Sequence, residues 1–245
     1  GMKDIPGRPL RDWIQQYLEG VLAIDEGVGR VLKGLKDSGQ DGNTLIVFTS
    51  DQGFAWGQHG FKSKVAPYHA TVGAPLIIRP PAVKAGKTAG RLVRSPVSGV
   101  DLPPTFFAQA GLPLPWKMHG QDLSPLLADP KAKRNTPAML VHTGKIYGSA
   151  TEEIPSADDE RLYHGPGVPW YVMLAEGQFK YVRNLIAGEV EELYDLKRDP
   201  EELKNLALQP RHAKRLKAYR QKAVEELRRT QAPFAASMPR PSTLK

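Results

Sequence analysis

Between Leu10 and Lys36 the apolar residues Leu10, Trp13, Ile14, Tyr17, Leu18, Val21, Leu22, Val28, Val31, Leu32 and Leu35 recur at steps of three and four. That period predicts one long amphipathic helix, punctuated by Pro9 and Gly39. Asn43 to Ser50 (NTLIVFTS) is a continuous apolar and β-branched run, the pattern of a parallel strand covered on both faces. Pro75 to Arg79 reads as a second buried strand and Ala138 to Thr143 as a third. Asp101 is placed to cap a short helix through Ala110, whose Pro103 and Pro104 fall in the tolerant first turn.

Further along, Tyr171 to Ala175, Phe179 to Leu185 and Glu191 to Leu196 are short strand patterns separated by Glu176-Gly177 and Ala187-Gly188. Turn dipeptides between such runs predict an antiparallel meander. Asp199-Pro200-Glu201-Glu202 has the form of a helix start, and Arg211 to Arg229 carries Leu216, Tyr219, Ala223 and Leu227 on one stripe. Residues after Pro233 read as a loose tail. The fold class is therefore α/β, with a smaller antiparallel sheet plus helix at the end.

At 245 residues the chain is long enough to bury a substantial core. Apolar residues make up 40% and charged residues 24%. No apolar stretch approaches the roughly 18 to 20 residues that cross a bilayer, so neither a membrane partner nor a disordered chain is expected. Cysteine is absent, which excludes disulfides, thiolate metal sites and a cysteine nucleophile. The formal charge of +8 invites a nucleic-acid reading, but its distribution argues against one. Residues 1–196 hold 21 basic and 21 acidic side chains, while residues 197–245 hold 13 basic and 5 acidic. A neutral body with a basic last helix reads as a solvated face, and no nucleic-acid partner is expected.

In an open α/β sheet ligands gather beyond the carboxyl ends of strands, and Asp51 and Gln52 stand directly after NTLIVFTS. A carboxylate and an amide carbonyl are hard oxygen donors suited to Ca²⁺ or Mg²⁺, and Gly53 lets the chain turn sharply behind them. An Asx turn is the competing role. Downstream come His59, within Gly57-Gln58-His59-Gly60, and Lys64. An imidazole exchanges protons near neutral pH, and an ammonium neutralises an anionic oxygen. A surface histidine and a solvated lysine are the plainer alternative.

Phe48-Thr49-Ser50-Asp51-Gln52-Gly53, Gly57-Gln58-His59-Gly60, Lys64, Tyr68 and Ala74-Pro75-Leu76-Ile77-Ile78 together resemble the sulfatase family of the alkaline-phosphatase superfamily. Asp101-Leu102-Pro103-Pro104-Thr105, Gly120-Gln121-Asp122-Leu123-Ser124, Phe179-Lys180-Tyr181 and Glu192-Leu193-Tyr194-Asp195-Leu196 follow in family order, so the resemblance runs from about residue 10 to 210. It implies an alkaline-phosphatase-like central sheet. Residues 1–130 would be the C-terminal part of the large α/β domain, and residues 131–245 a small antiparallel sheet with a terminal helix. The implied activity is hydrolysis of a sulfate ester, small or carbohydrate, in a periplasmic or secreted setting, with no signal peptide in this chain. Asp51 and Gln52 resemble late metal ligands, Lys64 the lysine on the sulfate and leaving oxygen, and His59 takes a supporting role or a loop hydrogen bond.

One departure shapes the expectation. Sulfatases use a formylglycine made from Cys or Ser in a C/S-x-P-x-R motif, and that residue is absent here. Ser237-Met238-Pro239-Arg240 brings the arginine one residue too soon and reads as chance. The isolated chain is therefore expected to be inactive. Phosphodiester or phosphonate monoester hydrolysis is the alternative within enzymes, and a truncated non-catalytic binding module the alternative outside them. The sequence leaves the oligomeric state open.

Overall fold

The computed structural model describes residues 9–81, 90–144, 152–164 and 167–242. Helix α1 spans Leu10–Asp37, and at its end the Ser38 and Gly39 amides bond back to Gly34 and Lys36 while Gly39 takes φ 70°. Strand β1 (Ile46–Thr49) follows. A small hairpin of β2 (Ala55–Trp56) and β3 (Lys62–Ser63), then the single-turn helix α2 (His69–Val72), lead to β4 (Leu76–Arg79). The NTLIVFTS run is a strand, as expected, but it pairs antiparallel with β4 and not in parallel, with Ile46 opposite Arg79 and Thr49 opposite Leu76. Its side chains are only half-buried. A continuous apolar run reports how much a strand wants burial and says nothing about the direction of its neighbour.

The centre of the molecule lies elsewhere. After α3 (Leu102–Ala110) and α4 (Ser124–Ala128) comes β5 (Ala138–His142). A short ladder of β6 (Tyr163–His164) with β7 (Val168–Pro169) leads into β8 (Tyr171–Glu176), β9 (Phe179–Asn184) and β10 (Glu192–Asp195). Four of these strands form one antiparallel sheet in the order β10-β9-β8-β5. Alternation along the strands sends successive side chains to opposite faces. Val172, Leu174, Tyr181 and Leu193 face the helix α5 (Ala213–Arg229), where Tyr219, Ala223 and Leu227 meet them. Tyr171, Met173 and Val182 face the other way, onto Phe61, Val65, Ala66, Tyr68 and Val72. The sheet is thus buried on both sides, by a helix on one and by the 61–72 segment on the other.

Three local expectations fail, each because a distant partner outweighs a local signal. Asp101 stands at the N-cap position of α3, but its side chain makes no bond to that helix. Its carboxylate is buried, accepts the Ser98 and Gln121 amides at 2.8 Å each, and pairs with Arg134 at 2.9 Å. Residues 199–202 form a turn and not a helix start, because Glu202 adopts φ 57°. Asp199 still accepts the Leu203 and Lys204 amides, so its capping chemistry closes the turn. The segment after Pro233 is fastened and not loose: Phe234 is fully inside the core, Gly188 bonds the Arg240 carbonyl and Ser242 bonds that of Glu189.

Helix α1 touches the rest through Tyr17, edge-on to Trp56 at 5.4 Å, and Trp13, beneath the Lys62 ammonium. Val28, Leu32 and Leu35 are half-buried, while Leu18, Leu22 and Val31 lie open, Leu22 at 71% exposed. No helix among the described residues is long and apolar enough to cross a membrane.

These contrasts set an expectation for stability. Replacing Asp101 by alanine strands the Arg134 charge and two amides in the interior and should cost about 3 to 5 kcal/mol. Leu22→Ala should change it by no more than about 0.5 kcal/mol. Urea unfolding of the two variants checks both, and equal effects would contradict this division of the molecule.

Candidate functional site

Strand β1 delivers Asp51 to its carboxyl end, and the loop beyond β3 returns Lys64 to the same place. The Lys64 Nζ lies 3.9 Å from Asp51 Oδ2, with 43% and 78% of the two side chains exposed. Such a pair contributes at most about 1 kcal/mol in water, so it is accessible chemistry more than a strut. Ser50 Oγ donates to the Gln52 carbonyl at 2.7 Å and lies 3.4 Å from Asp51 Oδ1, which fixes the bend that aims both residues away from the strand. Gly53 is required for space and not for φ. A Cβ there would meet the Ala70 carbonyl oxygen at 2.4 Å, and the Gly53 amide donates to the Thr71 carbonyl at 3.0 Å.

Lys64 sits between two residues in the left-handed region, Ser63 at φ 85° and Val65 at φ 88°. For a β-branched residue that conformation is strained and is held only where the surroundings fix it. Here they do so from the sheet: Tyr171 Oη donates to the Val65 carbonyl at 2.6 Å, and the buried Thr71 hydroxyl donates to the Ala66 carbonyl. Helix α2 packs beneath, its His69 amide donating to Glu202 Oε2 at 2.6 Å.

His59 stands apart from the Asp51–Lys64 pair in its bonding. Its Nε2 lies 2.9 Å from the Glu201 carbonyl, so that nitrogen carries a proton and donates, and its ring stacks on Tyr68 at 3.8 Å and 2°. His59, His69, Glu201 and Glu202 border a cavity of about 200 Å³ between the loop and the 199–202 turn.

Behind Tyr68 is a buried polar group that the sequence reading missed. Tyr68 and Tyr194 both donate to Glu192, the latter at 2.8 Å, and Lys180 pairs with Glu202 while standing 5.9 Å from the Tyr68 ring centroid. Burial pushes both phenols upward, and the neighbouring Glu192 charge adds to it. Burial also pulls the Lys180 ammonium below the ordinary lysine range, with Glu202 offsetting part of the effect. A lysine between Phe179 and Tyr181 in a strand was the available signal, since such a residue is rarely buried without a partner.

Asp51 and Gln52 fit a hard divalent cation by donor type, one carboxylate and one amide oxygen side by side. Two donors fall short of the roughly six to eight oxygens Ca²⁺ gathers. Among the described residues no group of three or more His, Asp or Glu side chains is arranged to hold a metal. These residues therefore amount to part of a cation site.

Burial raises the Glu192 carboxyl above its ordinary value of 4.5, against the hydrogen bonds from Tyr194 and Tyr68. Above that ordinary value the unfolded chain has released a proton that the folded chain keeps. The stabilisation is thus full below it and is lost as pH rises through the folded value. The difference in unfolding free energy between wild type and Glu192→Gln should fall as pH is raised from about 4 toward 8. Denaturant titrations of both proteins measure it, and a difference that grows with pH would contradict the assignment.

The sulfatase family model matches residues 8–112, the span carrying β1, Asp51, Gln52, His59 and Lys64. An N-acetylglucosamine-6-O-sulfatase of Bacteroides thetaiotaomicron is 33% identical over 220 residues, which are 87% of this chain and 36% of that protein. A solved structure of a protein in complex with its substrate D-glucosamine-2-N,6-O-disulfate is similar with a TM-score of 0.66 and 29% identity, covering 94% of this chain and 42% of that one. The phosphonate monoester hydrolase of Agrobacterium radiobacter is similar with a TM-score of 0.63 and 28% identity, covering 85% of this chain and 39% of that one. The chain spans well under half the length of each. The likeness extends past the Lys64 loop through the four-stranded sheet: residues 8–112 belong to the sulfatase family, and the fold is the alkaline-phosphatase-like fold of its sulfatase neighbours.

Proposed function

We propose that this chain is the C-terminal portion of a hydrolase of sulfate esters, acting on a sulfated carbohydrate. The observation that carries the reading is the approach of Lys64 to Asp51, 3.9 Å apart at the rim of β1, where an anionic ester would lie between an ammonium and a cation. Lys64 would bind a sulfate oxygen and neutralise charge on the leaving oxygen as the S–O bond breaks. Asp51 and Gln52 would hold part of the shell of Ca²⁺, or of Mg²⁺, and a bound cation supplies polarisation of the ester oxygens. His59, with Nε2 engaged on Glu201, would support the loop and leave Nδ1 as its free ring nitrogen for proton exchange. Residues 1–130 belong in this reading to the large α/β domain and residues 131–245 to the smaller one.

The attacking group has no candidate in these 245 residues. Ser237 Oγ donates to the Phe234 carbonyl, and Arg183 holds the Pro239 carbonyl, so Ser237-Met238-Pro239-Arg240 is a strap on the sheet. Formylglycine chemistry would have to come from sequence outside this chain.

A second reading, hydrolysis of a phosphonate or phosphodiester, is favoured by the likeness to the Agrobacterium radiobacter enzyme, since the two anions share shape. The test assays the 245-residue chain, and the natural reading frame that contains it, on an aryl sulfate, glucosamine 6-sulfate and an aryl phosphonate. The longer protein should hydrolyse the sulfates, with Asp51→Ala and Lys64→Ala each lowering kcat/KM at least about 100-fold, and the 245-residue chain should be silent. Faster turnover of the phosphonate would establish the second reading, and no turnover of any ester would leave a binding module.

A further inference from the structure

We propose that Glu202, fixed by Lys180, is a positioning residue that sets the geometry of the Asp51–Lys64 pair from the far side of the loop. The functional meaning rests on the reading of that pair as the ester and cation site, while the positioning itself is a property of this chain. Glu202 is 2% and Lys180 3% exposed, and they form an ion pair. One carboxylate oxygen of Glu202 faces Lys180. The other accepts the His69 amide at 2.6 Å, the first N–H of α2, which has no partner within its own helix. A charged acceptor makes this bond stronger than a neutral one.

From α2 the connection runs directly to the site. The Thr71 carbonyl accepts the Gly53 amide at 3.0 Å, two residues from Asp51, and the Ala70 carbonyl packs so close to Gly53 that no Cβ fits. At the other end of the loop the same 199–202 turn holds His59 through the Glu201 carbonyl. Lys180 is fixed by more than Glu202: Tyr194 is its cross-strand partner, and Glu192 and the Tyr68 ring face it from β10 and the loop. Glu202 holds a left-handed backbone, φ 57°, and its side chain is buried. The route is therefore sheet, Lys180, Glu202, α2 and Gly53, each link a contact between named atoms, and from Gly53 two residues of backbone reach Asp51.

Amide hydrogen exchange on the 245-residue chain tests it. In Glu202→Ala the Gly53 and His69 amides should exchange at least about tenfold faster, while Val182 and Leu193 in the sheet keep their protection. Lys180→Arg, which keeps the charge, should leave Gly53 protected, and Lys180→Met should not. The double exchange Lys180→Glu with Glu202→Lys restores opposite charges but offers no acceptor to His69, so Gly53 should stay fast. Glu202→Gln keeps the acceptor and the size, and gives the reading should the alanine variant fail to fold: Gly53 should be faster than in wild type with the sheet intact. Unchanged Gly53 exchange in folded Glu202→Ala, Glu202→Gln or Lys180→Met, equal acceleration of all amides, or protection restored by the double exchange would overturn the proposal. None of these readouts depends on ester hydrolysis, so an inactive full-length protein would sink the proposed function and leave the positioning result to stand or fall alone.

Discussion

A lysine ammonium and a glutamate carboxylate almost wholly removed from water can exist there only together. The desolvation of either ion alone amounts to several kcal/mol, and the partner's field is what offsets it. Lys180 is fixed on β9, so Glu202 has one place to be, and its free oxygen then has one amide to meet. The pair joins the sheet to the 61–72 segment at the same face where Tyr171 and Met173 pack apolar surface against Val65 and Ala66. Apolar contact there brings the two layers together without direction, and the ion pair with its hydrogen bond fixes which residue sits over which.

Much of the architecture was written in local pattern. The three strands between Tyr171 and Asp195 announced themselves by short apolar runs and Glu-Gly and Ala-Gly breaks, and α1 and α5 by their periods. What local pattern lacks is direction and distance. The run before Asp51 could not disclose that β4 lies antiparallel to it. The Asp-Pro-Glu-Glu segment offers the same side-chain bonds in a turn as at a helix start, and the choice is made by Lys180 and by His69, far off in the chain. The strap after Pro233 is held by the buried Phe234 and by backbone bonds to distant residues, a combination that carries no period to read.

The site divides in the same way. Asp51 and Gln52 stood out as candidates because the end of a strand is where an open sheet presents polar groups, and Lys64 because its place in the chain resembles the family pattern. Glu192 and Glu202 were not, since a glutamate in a strand edge or a turn is an ordinary exposed residue until the fold closes over it. Tyr68 was visible as part of a family pattern, yet its work as the plate between His59 and Lys180 needed three segments from across the chain.

Magnitudes decide which of these contacts governs the Asp51–Lys64 pair. Holding residues such as Ser63 and Val65 at positive φ costs of order 1 to 3 kcal/mol each. The exposed Asp51–Lys64 interaction returns no more than about 1 kcal/mol, so it cannot be what keeps the loop in that shape. The bonds that can are the Tyr171 hydroxyl on Val65, the buried Thr71 hydroxyl on Ala66 and the Glu202 carboxylate on His69, all of them inside and all of them tied, directly or through one residue, to the four-stranded sheet. An exposed cation and anion side by side would drift through many separations on their own side-chain freedom. The shape of the loop that carries Lys64 is thus set by buried bonds tied to the sheet, and the exposed pair follows it.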